Sequence, residues 1–295
     1  PLAELVDERA VRWLLDHQAD LQSCLLLAAF GVVAVWETLS PRRALAVPSG
    51  PRWFQQITLV ALGSIVVRAI MPIAAIALAS IVEQRGFGLL NVIAVPGWLS
   101  LLIGIVALDL ANYAQHRLTH AVPLLWRFHQ IHHSDLDVDC GTSIRHHPVE
   151  ALVSQAVVLA AIAVVGVSPM AAVIGLALAG AASVFNHGNV ALPRHVDAWL
   201  RLLVVTPDMH RIHHSARIDE SNSNFANLLP WWDRLFSTYG CDPHLGQQRL
   251  TLGLETARTP GDVTLWNLLL MPFRPLPQVG VRRARVESLE VSAGP

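Results

Sequence analysis

The stretch "VPGWLSLLIGIVALDLANYAQHRLTH", residues 95–120, begins as a membrane span and ends as a pair of imidazoles. Its first part, 95–114, is apolar over about the 20 residues that a helix needs to cross the hydrocarbon of a bilayer. Helix is the expected conformation, because in lipid a single segment must satisfy its own backbone groups. His116 and His120 then stand at i and i+4, one turn apart on one face. Asp109 lies two turns before His116 on the same helix. The stretch predicts a membrane helix that delivers two candidate metal ligands at its end.

Three other apolar runs accompany it. One covers 20–39, "DLQSCLLLAAFGVVAVWETL"; a second covers 56–82 and is interrupted by Arg68; a third covers 151–185 and is broken by "GVSP" at 166–169. The last is too long for one span and carries a turn signal, so it reads as a helical hairpin. The bulk numbers agree. Of 295 residues, 53% are apolar and only 15% charged, with a mean hydropathy of +0.44, whereas a soluble domain is about one quarter charged. The expected fold is all-α: a polytopic membrane protein of about four transmembrane helices, one of them a helical hairpin, with a helical cap. One integral membrane domain spans 1–295. It comprises N-terminal transmembrane helices over 1–114, a His-rich core over 115–245 that includes the hairpin 151–185, and a peripheral C-terminal tail over 246–295.

A net charge of −1 offers no electrostatic case for nucleic acid. The three cysteines, Cys24, Cys140 and Cys241, are odd in number and form no C-x-x-C pair, which argues against a disulfide framework or a thiolate metal site. The 21 basic residues are all arginine; composition bias is the plain reading. The mixed, charged segment 1–20 shows no cleavable signal pattern. Arg68 would mark function if it stood in mid-membrane. The expectation is the plainer one, that a tilted or offset helix lets it face protein or snorkel. Loop 40–53, "SPRRALAVPSGPRW", carries Arg42, Arg43 and Arg52 and is expected at the cytoplasmic face. Counting spans from there places both His-rich segments, 115–150 and 186–245, on that same side.

The imidazoles recur in order. His116 and His120 are followed by His129, His132 and His133 in "WRFHQIHHSD" (126–135), by His146 and His147 in "RHHPVE", by His187 in "NHGN", and by His210, His213 and His214 in "DMHRIHHSAR" (208–217). Spacing i, i+3, i+4 gathers each triplet on one helix face. A single such pair is weak evidence. Several clusters on one side of a membrane are strong, because buried imidazoles without partners cost about 1–3 kcal/mol each and repel one another when protonated. A metal resolves both problems. Imidazole suits iron, zinc, copper and nickel alike. The count is too large for one tetrahedral zinc and fits two metals. No E-x-x-H pair occurs, so the carboxylate-bridged bundle arrangement is not expected. Asp109, Asp135 and Glu150 are candidates to orient ligating imidazoles, since such rings usually donate their other N–H to a carboxylate or carbonyl; Asp137 and Asp139 stand beside them.

The order H-x3-H, H-x2-H-H, H-x2-H-H resembles the fatty acid hydroxylase superfamily, also called the sterol desaturase family. "DLANYAQHRLTHAVPLLWRFHQIHHSD" (109–135), "RHHPVE" (145–150), "NHGN" (186–189), "TPDMHRIHHS" (206–215) and "NFANLLPWWDRLFSTYG" (224–240) are similar to its blocks in order. The resemblance covers about 95–240. It implies a membrane-embedded non-haem di-iron oxygenase, binding two Fe ions and using O2, with zinc a substitute in a purified form. The implied ligands are His116, His120, His129, His132, His133, His187, His210, His213 and His214, with His147 either a tenth ligand or a group behind them. His146 occupies a position that is usually not a ligand, and His195 is read as surface. The implied reaction hydroxylates or desaturates an unactivated C–H position of a lipid or sterol-like substrate. No flavin, haem or iron–sulfur motif is present, so electrons are expected from a ferredoxin, cytochrome or reductase type of partner. Trp98, Tyr113, Trp126 and Phe128 are candidates to line the apolar mouth for the lipid, against the alternative of an interfacial aromatic belt.

Two other classes compete. A membrane metal-binding or transport protein would want polar residues through its spans, and few exist beyond Asp109 and Arg68. A membrane zinc hydrolase needs H-E-x-x-H, and "HQIHH" has Gln130 where its glutamate would stand.

Overall fold

The structure, a computed structural model, describes Trp13 and residues 16–275. The segment 1–12 and the last part of the expected tail, 276–295, lie outside the described residues. Helices account for the regular structure: α1 (Gln18–Leu39), α2 (Ser49–Ile70), α3 (Ala75–Gln84), α4 (Leu89–Val92), α5 (Gly97–Ala121), α6 (Pro123–His133), α7 (Pro148–Val165), α8 (Pro169–His187), then the short α9 (Arg194–Leu200), α10 (Pro207–His213), α11 (Ile218–Ser221), α12 (Trp231–Leu235) and α13 (Leu265–Leu270). Among the described residues there is no strand, only three isolated bridges.

Five helical stretches are long and apolar enough to cross a membrane: Asp20–Leu39, Ser49–Val92, Gly97–Ala121, Pro148–Val165 and Pro169–His187. The last two are the expected hairpin. Its turn follows from the local sequence. Gly166 ends α7 at φ 76°, Ser168 caps α8 through its side chain, and Pro169 starts it. A Cβ on Gly88 would lie 2.5 Å from the Gly166 Cα, so two glycines allow the turn and the loop before α4 to touch. The run 56–82 is not one helix interrupted at Arg68. It breaks after Ile70 around Pro72, which lacks an N–H and cannot continue a helix.

α5 is the central helix. It packs against α7 and α8, while α1 lies on α8 and α2 on α7. One end is held by an aliphatic core of Ile76, Leu108, Ile162, Val167 and Ala171. The outer faces of α1 and α2 expose Leu27, Val32, Leu39, Phe54 and Ile65, the pattern of helices surrounded by lipid. At the other end, the C-termini of α1, α5 and α8 and the N-termini of α2 and α7 meet the cap.

Buried and half-buried polar pairs fasten the cap. Arg52 donates to both oxygens of Asp135 at 2.8 Å and to Asp139 at 2.7 Å. Arg42 pairs with Asp208 at 2.9 Å. Part of the stretch expected to be a peripheral tail packs on the core, between Leu250 and Leu268. Leu250 and Leu252 pack on Val138, and Ala257, Val263 and Leu268 pack on Leu59 and Ile131. Its apolar residues are too sparse to show a period.

Candidate metal centre

α6 follows α5 after a one-residue corner at Val122, with Pro123 starting α6, so the two helices present their imidazoles toward each other. α8 ends at His187, and α10, capped by the Thr206 hydroxyl, brings the second triplet against it. Nine histidines then fall into two groups. His116, His120, His129, His133 and His213 form one; His132, His187, His210 and His214 form the other. Within each, the candidate ligand atoms all lie within 4.8 Å of one another.

The repeated triplet now has a geometric meaning. On α6 the i, i+4 pair, His129 and His133, turns to the first group, and His132 turns to the second. On α10 the assignment is exchanged: His210 and His214 join the second group and His213 the first. Two helices facing across a pair of sites need this crossing, and the H-x2-H-H spacing supplies it because i+3 and i+4 diverge around the helix.

The ring nitrogens behind the site set the tautomers. His129 Nδ1 meets Glu150 Oε1 at 2.6 Å. His116 Nδ1 donates to the Phe225 carbonyl at 2.7 Å, His187 Nδ1 to the Ser183 carbonyl at 2.7 Å, and His213 Nδ1 to the Ser223 carbonyl at 2.8 Å. Each ring therefore turns an Nε2 lone pair inward. Those Nε2 atoms converge. His120 and His133 approach to 3.1 Å, His133 and His129 to 3.2 Å, and His187 stands 3.1 Å from both His132 and His210. The buried Nε2 atoms of His116 and His213 have no protein partner. Nitrogens bound to one ion at 2.0–2.1 Å lie about 3.0 Å apart at a right angle and about 3.4 Å apart in a tetrahedron. The donor set and its spacing fit two metal ions.

Burial and the neighbouring imidazoles push His132, His133, His210, His213 and His214 well below the ordinary histidine range, so all five stay neutral. Neutral rings are the ligating form.

Not every candidate joins. His147 caps α7, accepting the Val149 N–H at 3.1 Å, and packs on Phe128. His146 stacks on His132 and reaches Glu150 at 3.1 Å; burial opposes its charge, but Glu150 and the Ser143 carbonyl raise it above the usual value. His195 is exposed. Of the three expected orienting acids, Glu150 alone touches an imidazole of the two groups. Asp135 is taken up by Arg52, Gln56 and Thr142; burial works against its carboxylate, yet Arg52 and Arg145 hold it low. Asp109 receives the Leu229 N–H at 3.1 Å and the Trp232 indole at 2.8 Å, which ties α12 to α5. Both acids position the scaffold. Asp233 was not singled out by the sequence. It receives the N–H groups of Phe225 and Ala226 and the Thr238 hydroxyl, which places the carbonyl that holds His116, and burial pushes it up to about 6.

A cavity of about 560 Å³ opens above the histidines between α2, α5, α7 and α8, with His116, His129, His132, His187 and His210 at its floor. None of Trp98, Tyr113, Trp126 and Phe128 borders it. Tyr113 faces the opposite side of α5, bonding Thr238 and stacking on Phe236. Trp126 lies behind His120 and His133. Trp98 is exposed at the far end of α5. The lining is aliphatic and small, Val60, Gly63, Leu108 and Gly175 among it, because helices must stand apart to leave a cavity and large aromatics would fill it.

Comparison with known proteins points the same way. Residues 101–238 match the fatty acid hydroxylase family model. The ornithine lipid hydroxylase OlsE of Rhizobium tropici is 31% identical over 149 residues, which is 50% of this chain and 44% of that protein. The alkylglycerol monooxygenases of Homo sapiens and Danio rerio are each 29% identical over 48% of this chain and 30% of their own length. The matched stretch thus spans less than half of each of these relatives. No solved structure matches the chain. With the five apolar helices, the paired histidine groups and this match in hand, the chain carries a fatty acid hydroxylase domain over residues 101–238.

Proposed function

We propose that this chain is a membrane-bound di-iron oxygenase that hydroxylates, or desaturates, an unactivated C–H position of a lipid, using O2 and electrons delivered by a separate protein. The observation that carries the reading is the placement of two adjoining histidine groups on the floor of a cavity walled by apolar membrane helices. His116, His120, His129, His133 and His213 would hold one iron; His132, His187, His210 and His214 would hold the other. A bound iron pair supplies the redox chemistry with O2 that side chains lack. The chain's own groups do the rest. The Nδ1 bonds to Glu150, Phe225, Ser183 and Ser223 keep the rings oriented, and the aliphatic walls admit a lipid chain and exclude water. The cap is proposed to face the cytoplasm, on the strength of Arg42, Arg43 and Arg52 in its first loop, and a ferredoxin, cytochrome or reductase would approach from there. Names of the relatives, an ornithine lipid hydroxylase and alkylglycerol monooxygenases, support a lipid substrate.

The hydrolase reading is disfavoured by one contact. Gln130, at the place of a zinc hydrolase's glutamate, turns its amide to the Arg127 carbonyl at 3.0 Å and not to the histidines. The test is metal analysis of the purified chain joined to mass spectrometry of lipids from cells with the wild type or His132→Ala. Two irons per chain, and a lipid gaining one oxygen or losing two hydrogens only with the wild type, are expected. One zinc per chain with no such mass change would overturn the proposal.

A further inference from the structure

Backbone that leaves the helix at membrane depth persists only inside protein or beside a polar cavity. The break between α2 and α3 comes just after Val67 and Arg68, which line the cavity above the histidines. Gly63 lies against Ala151, where a Cβ would stand 3.3 Å from the alanine Cβ. Further along, the Ile73 carbonyl accepts the Gln155 side-chain N–H at 3.3 Å. Gln155 sits seven residues into the 18-residue α7, so the break stands part-way along the bundle, with Ile70, Pro72, Ile73 and Ala74 exposed.

Arg68 occupies the last turn of α2, just before that break, and lines the same cavity as the histidines. No described residue gives it a hydrogen bond or an ion pair. The acids of the cavity are engaged elsewhere: Asp109 with Leu229 and Trp232 through Oδ2, Glu150 with His129 and His146 through Oε1. Ser64, Asn112, Gln115 and Ser154 also line it. The cavity is thus graded, with imidazoles at the floor, aliphatic walls, and one unpaired guanidinium with polar neighbours higher up. Arg68 is exposed; an unpaired charge that borders a cavity between apolar helices calls for an opposite charge, and a guanidinium fork matches a carboxylate or phosphate.

We propose that Arg68 is the head-group anchor of the cavity, which takes an amphiphile with an anionic head, carboxylate or phosphate. The proposal rests on the reading of this cavity as the place where a lipid is oxidised. Ser154 and Gln155 stand four and five residues beyond Glu150, about 6–8 Å along the helix. A head held at that level presents to the histidines a carbon near the head, not one at the far end of the chain.

The test measures binding to the full chain in phosphatidylcholine nanodiscs, with laurate, dodecyl phosphate and dodecanol as probes of one chain length. The wild type is expected to favour at least one of the two anions over the alcohol by on the order of tenfold. Which anion it favours tells carboxylate from phosphate. Arg68→Gln is expected to bind anion and alcohol alike, and Arg68→Lys to keep part of the preference, with the melting temperature and metal content of both as in the wild type. A wild type without preference, or an Arg68→Gln variant that keeps it, overturns the proposal and leaves Arg68 a snorkelling side chain. Binding needs no turnover, so the two readings fail separately. Anion preference without lipid oxidation sinks only the oxygenase, and oxidation without anion preference sinks only the anchor.

Discussion

Replacing Glu150 by alanine removes the one carboxylate among the described residues that touches the histidine groups. In the native chain its Oε1 meets His129 Nδ1 at 2.6 Å and His146 Nδ1 at 3.1 Å, with Glu150 and His129 buried. Without it the His129 N–H is left unpaired in a dry site, which costs about 1–3 kcal/mol. Loss of such an outer partner typically lowers metal affinity 10–100-fold, or about 1.4–2.7 kcal/mol, so two routes to the magnitude agree. The loss should fall mainly on the group that contains His129, since the second group draws on other partners such as the Ser183 carbonyl behind His187. Graded chelation followed by metal counting reads this directly. Glu150→Ala should surrender one ion per chain at chelator concentrations where the wild type keeps both, while circular dichroism shows the same helix content. His146→Ala is the control, because it keeps the bond between Glu150 and His129, and it should hold that first ion as the wild type does. Equal chelation midpoints for Glu150→Ala and the wild type would refute the reasoning that this carboxylate orients a ligand.

Two more outcomes follow from the buried charges. His132, His133, His210, His213 and His214 are neutral in the native chain and depressed below their unfolded value. As pH falls below about 6.5 the unfolded chain therefore binds protons that the native chain refuses. Stability is fully present above that value and declines below it, so the melting temperature of metal-depleted protein should fall from about pH 7.5 to about pH 5.5; a flat or rising profile would contradict it. Arg52→Met should cost about 3–5 kcal/mol, because it removes the cation that bonds the buried Asp135 and Asp139 carboxylates. Thermal unfolding in detergent measures this, and an unchanged melting temperature would show that the cap does not depend on the pair.

The aromatic mouth expected from Trp98, Tyr113, Trp126 and Phe128 shows where reading a single chain stops. Tyr113 turns to the side of α5 away from the cavity, Trp126 and Phe128 lie on α6 against His120, His133 and His147, and Trp98 stands exposed at the far end of α5; neighbouring helices decide that. Orienting groups were equally hidden. The carbonyls of Ser183, Ser223 and Phe225 hold three of the rings, and a backbone carbonyl has no side-chain signature. Asp135 and Asp109 have the right chemistry to orient imidazoles, but Arg52 and Trp232 reach them first. The break at Pro72 was open to reading, since proline marks it; the charge of Arg68 drew attention four residues too early.

By itself the sequence determined the membrane helices, the turn at 166–169 and the faces on which each imidazole cluster stands. Those depend on interactions between residues near in the chain: apolar length, helical periodicity, and the local chemistry of Gly, Ser and Pro. Only the tertiary structure decided that each triplet divides between two groups, that Glu150 and not Asp135 meets His129, and that Arg68 shares a cavity with the histidines. Those depend on the rotation and offset of one helix against another, which packing of distant segments sets and no local pattern encodes.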